Sequence, residues 1–223
     1  MRQTRCLTSW NRRENFASLG IGHFIWYPKD EKSSFEETFP ALLQFLCNKG
    51  ATLPDWLNET DNLHCPWQSH NEFEQNFYSE RMVALRKFLK ETVSLQAKFL
   101  VQRLKNALPQ ILAASDSSFR THIQKQFFRL AKSSNGLYAL VDYVNFKGSG
   151  SSMTERYKGE GWGLLQVLQE MRGEKIGIAA LKDFSKVATT VLTRRVKNAP
   201  EESNDHKWLN GWKRRIRTYL ETR

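Results

Sequence analysis

Apolar positions in this chain fall into one early β-type run and a longer series of helix-type runs. The stretch Ser18–Pro28, SLGIGHFIWYP, is rich in β-formers (Ile21, Phe24, Ile25, Trp26, Tyr27), and residues 16–28 read as a strand or hairpin. Gly20 and Gly22 interrupt it. Glycine weakens a strand and marks a bend or a close backbone approach. A tight hairpin with a satisfied His23 accounts for them, and so does a ligand lying against the backbone.

After this run the period changes to that of helices. Pro40 sits at a first turn, followed by Ala41, Leu42, Leu43, Phe45 and Leu46, with Gly50 as the stop. Residues 51–72 are rich in Pro, Asn, Asp and His and read as an irregular connection. Met82, Leu85, Phe88, Leu89 and Val93 then recur at helical spacing, predicting a helix from Ser79 to Leu108, where Pro109 kinks it or starts the next piece. Ser115–Ser118 offers capping chemistry before a helix carrying Phe119, Ile123, Phe127, Phe128 and Leu130, with Asn135-Gly136 as its end. An apolar helix within 136–147 runs into the Gly/Ser turn GSGSS. Further helices fit Trp162–Met171, Ala179–Lys197 and Lys207–Leu220. No repeat and no long linker is visible. The pattern predicts a single α+β domain over 1–223, mostly α, with one small N-terminal β-hairpin and about six to seven helices.

Composition changes the picture in two ways. The chain has 40% hydrophobic residues and seven Trp, enough for a core and for a binding surface. It carries 34 Lys and Arg against 23 Asp and Glu, a net charge of +11, which draws it toward polyanions such as nucleic acid, anionic lipid or cell wall. Twelve of the cations, against six acids, fall in 173–223, where a solvated basic helix face is the plainer reading. No run approaches the roughly 20 apolar residues of a membrane span. The opening MRQTRCLTSWNRRENF has four arginines and no apolar segment of a signal peptide. Cys6, Cys47 and Cys65 fit no metal pattern, although one disulfide and a free thiol can form. No metal and no cofactor is expected.

Three islands together carry a resemblance. SLGIGHFIWYP (18–28) resembles the β-hairpin of bacteriophage-type lysozymes, with its Thr-Ile-Gly-Ile/Tyr-Gly-His stretch. YALVDYVNFKGSG (138–150) resembles the family's helix ending in a Phe-Asn-x-Gly turn, and WLNGWKRRIRTYL (208–220) its C-terminal Trp-x-x-Gly-Leu-x-x-Arg-Arg helix. GWGLLQVL (161–168) is similar to the Gly-Leu-Met-Gln segment of goose-type lysozymes and lytic transglycosylases, at a different place in the chain order. The islands cover roughly a fifth of the chain, and the first three appear in the family's order.

The resemblance implies a lysozyme-like fold and cleavage of the β-1,4 bond between N-acetylmuramic acid and N-acetylglucosamine. A glutamate would protonate the leaving oxygen, kept protonated by an apolar setting, and a second polar group would hold the attacking water. Ser18 falls on the hairpin threonine that handles water. His23 closes the Gly-x-Gly-His motif in a structural role, and Asn145 falls on the asparagine that braces the cleft. The family's acid precedes the hairpin, but Met1–Arg13 hold no Asp or Glu, and the first acid is Glu14. The family's Asp between acid and hairpin has no counterpart either, since Arg12 and Arg13 occupy that neighbourhood.

Three alternatives stand. The first helix and its glutamate lie upstream of this sequence; Glu14 is the acid in a shortened geometry; or the domain binds without cleaving. Glu14 also reads as a surface partner of Arg12 or Arg13. Asp142, and Glu155 and Glu160 in the turn before Trp162, are further acids that could face a cleft, and solvated charge is their plainer reading. Trp10, Trp26, Tyr27 and Trp162 offer flat faces for sugar rings or for the core.

Two classes of function follow. One is a peptidoglycan-cleaving glycosidase or lytic transglycosylase, using Glu14 and Ser18, with His23, Trp26, Asn145, Glu155, Tyr157 and Trp162 around the substrate. The other is a non-catalytic basic domain that binds cell wall or nucleic acid. No nucleic-acid-binding signature accompanies the Arg-rich helix. Peptidoglycan or a related polysaccharide is the expected partner and a monomer the expected state. The compartment is the cell envelope or periplasm if an export signal lies upstream, and otherwise the cytoplasm.

Overall fold

A computed structural model describes residues 7–31, 35–58 and 64–221. The protein is α+β and mostly α: a three-stranded antiparallel sheet precedes ten α-helices among the described residues. The chain gathers into two compact units, residues 1–100 and 101–223. Cys6 lies outside the described residues.

The first unit is built on the sheet. Strands β1 (Thr8–Ser9), β2 (Ala17–Leu19) and β3 (Phe24–Trp26) pair in sequence order, with Ser9 opposite Ser18 and Ser18 opposite Ile25. The expected hairpin is β2–β3, and β1 adds an edge strand to it. Side chains alternate across a strand. Ala17, Leu19, Phe24 and Trp26 therefore all point into the core, and Ser18 and Ile25 share the half-buried opposite face. Beneath the sheet lie α1 (Phe39–Asn48), the short α2 (Asp55–Asn58) and α3 (His70–Gln75), and α4 (Glu80–Glu91). The two short helices fall in the stretch expected to be irregular. Phe39, Leu42, Leu46, Trp67, Phe73, Met82 and Leu85 close the core around Trp26. It is an aromatic core, in which Trp26 packs on Phe39, Trp56 and Trp67 at ring separations of 4.7, 6.4 and 6.4 Å.

The helix expected over 79–108 begins after Ser79, whose hydroxyl caps the Met82 N–H, but it is interrupted at Thr92. There the side-chain hydroxyl donates back to the Phe88 carbonyl at 2.8 Å, the back-bonding that lets a threonine break a helical run. The following helix, α5 (Val93–Ala114), passes through the exposed Pro109, which forgoes one backbone hydrogen bond without ending it.

The second unit is all helix and turn. It comprises the later part of α5, then α6 (Ser117–Ala131), α7 (Ser134–Lys147), α8 (Leu164–Glu170), α9 (Ile178–Asn198) and α10 (Leu209–Arg217), with three 3₁₀ turns at 201–203, 205–207 and 218–220. Asp116 caps α6 by accepting from the Ser118 N–H. Asn135-Gly136, expected to end that helix, instead lies in the first turn of α7, capped by Ser133 at the Gly136 N–H. A Cβ on Gly136 would strike the Leu130 carbonyl oxygen, so the glycine permits a close helix–helix corner rather than a stop. Leu140, Tyr143, Leu164, Leu168, Phe184, Leu192 and Ile216 make the core of this unit. No helix among the described residues is long and apolar enough to cross a membrane.

Candidate functional site

In the first unit the hairpin tip is Gly20–His23. His23 donates its backbone N–H to the Gly20 carbonyl at 3.4 Å, and both residues take positive φ (+69° and +50°). A left-handed φ is natural for glycine and uncommon for histidine, so the turn is held from outside. Gln96, fully buried on α5, holds it. Its Oε1 accepts the Ile21 N–H at 3.0 Å, while its Nε2 donates to the Leu89 carbonyl and to the Thr92 hydroxyl. A Cβ on Gly20 would lie 2.5 Å from that Oε1, and one on Gly22 would meet Phe24 and Leu100. The close backbone approach that the two glycines implied is therefore made by the chain's own side chains.

Ser18 stands on the central strand with its side chain half-buried, and its carbonyl accepts from the Ser9 hydroxyl at 3.3 Å. Glu14 lies in the turn that leads into that strand. Its N–H donates to the Asn11 carbonyl, and its own carbonyl accepts from the Trp10 indole at 2.8 Å. Trp10 is buried against Phe73, so this turn is pinned to the core by an aromatic anchor. His23 is exposed. Trp26 is only 1% exposed, which corrects its assignment as a sugar platform: its indole is packed among Phe39, Trp56 and Trp67. Glu14, Ser18, His23 and Trp26 thus all belong to the first unit.

Asn145, Glu155, Tyr157 and Trp162 belong to the second. Asn145 donates from Nδ2 to the Val141 carbonyl of its own helix at 2.7 Å and braces α7. Asp142 is fully engaged: Arg215 donates to both of its oxygens at 2.7 and 2.8 Å, and the Tyr219 hydroxyl donates at 2.6 Å. Burial and this neighbouring carboxylate push the Tyr219 phenol well above its ordinary range. Burial opposes the charge on Arg215, but Asp142 raises its pKa further.

The segment between α7 and α8 is locked on itself. Leu164 and Leu165 donate to the carbonyls of Gly148 and Ser149, and Gln166 accepts the Gly163 N–H at 2.9 Å while donating to the Gly150 carbonyl at 3.1 Å. Gly163 lies so close to Gly150 that neither could carry a side chain without moving the other. The FKGSG turn and the GWGLLQ segment are thus two halves of one clamp.

Below the clamp Tyr157 packs at a tilt against Trp162, with ring centroids 4.6 Å apart. Trp162 is 4% exposed and carries the Arg195 guanidinium on its face at 4.0 Å. Arg195 also lies 4.9 Å from the Trp212 ring and pairs with the buried Asp205 at 2.7 Å. Burial of Trp162 gives it the same correction as Trp26: its face is occupied by an arginine, not open to a sugar. Sequence reasoning missed Gln96, Arg195 and Asp205. A polar residue at a core position of the helical period was the available signal for Gln96 and Arg195; Asp205, in a short 3₁₀ turn, had none.

A groove of about 400 Å³ lies beside the clamp, lined by Phe119, Arg156, Gly159, Glu160, Gly161 and Arg194, with Gln166, Gln169, Glu170 and Arg172 completing it. Arg194 bridges Glu160, at 2.5 Å, and Glu170; the hydrogen bond to Glu170 raises its pKa despite partial burial. No protein family, curated protein or solved structure matches this chain.

Proposed function

We propose that this chain acts on peptidoglycan as a muramidase-type glycosidase. Glu14 gives its carboxyl proton to the oxygen of the β-1,4 bond as the C1–O bond breaks, and Ser18 holds the water that adds to C1, whose released proton returns to the Glu14 carboxylate. The observation that supports the reading is the disposition of the hairpin. The serine that aligns with the water-handling hydroxyl is on the outward face of the central strand, and Glu14 is in the anchored turn entering that strand, both half-buried. The net charge of +11 adds attraction to an anionic wall.

The test is release of reducing sugar from purified peptidoglycan by the full chain and by Glu14→Gln and Ser18→Ala, with folding checked by circular dichroism. Loss of a general acid should lower the rate by about 10²-fold or more. Undiminished lysis by Glu14→Gln removes Glu14 from the mechanism. A 1,6-anhydro product in place of a free reducing end reassigns the reaction to a lytic transglycosylase.

A second reading, a non-catalytic basic domain for wall or nucleic acid, is favoured by α10, where Arg214 and Arg217 stand exposed with no ion-pair partner among the described residues. Affinity for nucleic acid that collapses steeply with salt would select it. Binding to wall without cleavage would select its cell-wall form.

A further inference from the structure

The groove of the second unit contains three guanidiniums and two carboxylates. Arg194 is fully spoken for by Glu160 and Glu170. Arg156 and Arg172 are not: neither has a carboxylate partner among the described residues. Both are nevertheless fixed in place. Arg156 donates from Nε to the Ser152 carbonyl and from Nη1 to the Gly159 carbonyl at 3.4 and 3.2 Å. Arg172 donates from Nη1 to the carbonyls of Gln169 and Met171 at 2.7 and 3.2 Å, with the His122 ring at 3.4 Å. The Nη2 groups of both side chains have no protein partner among the described residues.

Neutral carbonyls orient these cations without neutralising them. These bonds restrict both side chains in the free protein, which lowers the cost of accepting an anion. The planar guanidinium fork suits a carboxylate or phosphate. The lining chooses between the two. Three positive groups against two negative ones leave a single net positive charge, which matches a monoanion, and Glu160 and Glu170 repel a dianion. Phe119, 37% exposed, adds an apolar face, while the Gln169 amide and the glycine backbone at 159 and 161 add polar groups. The volume fits one or two sugar rings.

We propose that this groove binds a saccharide bearing one carboxylate, with Arg156 and Arg172 holding the carboxylate and Phe119 facing the ring. That the anion is carried on a sugar rests on the function proposed above; the charge argument does not.

The experiment is titration of the full chain with N-acetylmuramic acid and with N-acetylglucosamine, which differ by the carboxylate-bearing lactyl group, followed by two-dimensional NMR and calorimetry. N-acetylmuramic acid should bind about tenfold or more tightly, and Arg156→Gln and Arg172→Gln should each remove about tenfold of that affinity. Equal binding of the two sugars, no binding of either, or indifference to both arginine substitutions overturns the proposal. Competition by inorganic phosphate at similar concentration overturns the choice of a monoanion. Binding without peptidoglycan lysis keeps this site and sinks the glycosidase reading; lysis without binding does the reverse.

Discussion

The Gln96 side chain accepts the Ile21 N–H at 3.0 Å, and residues 75 apart in sequence are thereby joined at the tip of the hairpin. The same amide satisfies the Leu89 carbonyl and the Thr92 hydroxyl at the break between α4 and α5. One buried side chain therefore fixes a strained turn and a helix junction together. Gln96→Ala removes three hydrogen bonds and leaves buried groups unpaired. It should destabilise the protein by about 2–3 kcal/mol. Chemical denaturation reads the total. Amide hydrogen exchange at Ile21, accelerated far beyond the global change, would show that the loss is local to the hairpin; unchanged exchange there would refute the coupling.

The contact between Gly150 and Gly163 allows a comparison of four glycines. Gly163→Ala places a methyl inside the Gly150 backbone, which cannot yield as a flexible side chain would, and should cost about 3 kcal/mol or more. Gly159→Ala meets no neighbouring atom but has φ +82°, so its cost should be about 1 kcal/mol from backbone strain alone. Gly211→Ala lies within α10 in open space and should stabilise by about 0.5–1 kcal/mol. Gly50→Ala should behave like Gly159→Ala, because it combines φ +81° with open space. Thermal melts of the four variants test this order, and a Gly163→Ala protein as stable as the parent would contradict the clamp.

These contrasts also show what the sequence made legible. Local period and capping chemistry disclosed nearly every long helix, because Leu85, Ile123, Leu164 or Val191 can face the core only at helical spacing. The hairpin was legible from its β-formers. The break at Thr92 was not, since a hydroxyl that donates to its own helix looks the same in sequence as one that faces solvent. Asn135-Gly136 was misread for a similar reason: glycine serves a close approach as readily as a helix end, and only the position of the Leu130 carbonyl decides. Of the site residues, Trp26 and Trp162 had the right composition for sugar stacking, but aromatic faces are equally suited to a core ring or a guanidinium. Gln96 and Arg195 showed only as polar residues at core positions of the helical period, which names no partner, and Asp205 leaves no local pattern.

Arg195 and Asp205, 4% and 6% exposed, form a buried ion pair roofed by Trp162 and Trp212. Removing one partner strands the other charge away from water. Asp205→Ala should therefore cost about 3–5 kcal/mol, and Arg195→Met a similar amount, with its lost ring contacts contributing up to about 2 kcal/mol. The double variant has no orphaned charge and should be less destabilised than the sum of the two. A double-mutant cycle by urea denaturation measures the coupling. Simple additivity would mean that the pair is not coupled in solution.

Cys65 and Cys47 should part company with pH. Cys47 is exposed on α1, whereas Cys65 is buried, and that burial raises its thiol from an ordinary value of 9.0 to about 12. At pH 8 an alkylating reagent should therefore modify Cys47 and leave Cys65 untouched until the protein unfolds, as peptide mass mapping would reveal. The same shift makes a statement about stability. The unfolded chain releases this proton near pH 9 and the folded chain only near 12. The contribution is thus complete below about pH 9 and is lost as pH rises toward 12, at about 1.4 kcal/mol per pH unit. The tyrosines Tyr143 and Tyr219, raised by burial, act in the same direction from higher pH. Cys65→Ala isolates the thiol. The stability gap between parent and variant should be constant below pH 9 and narrow steadily between pH 9 and 11. A gap that stays constant across that window would show that the thiol ionises in the fold as freely as in the unfolded chain.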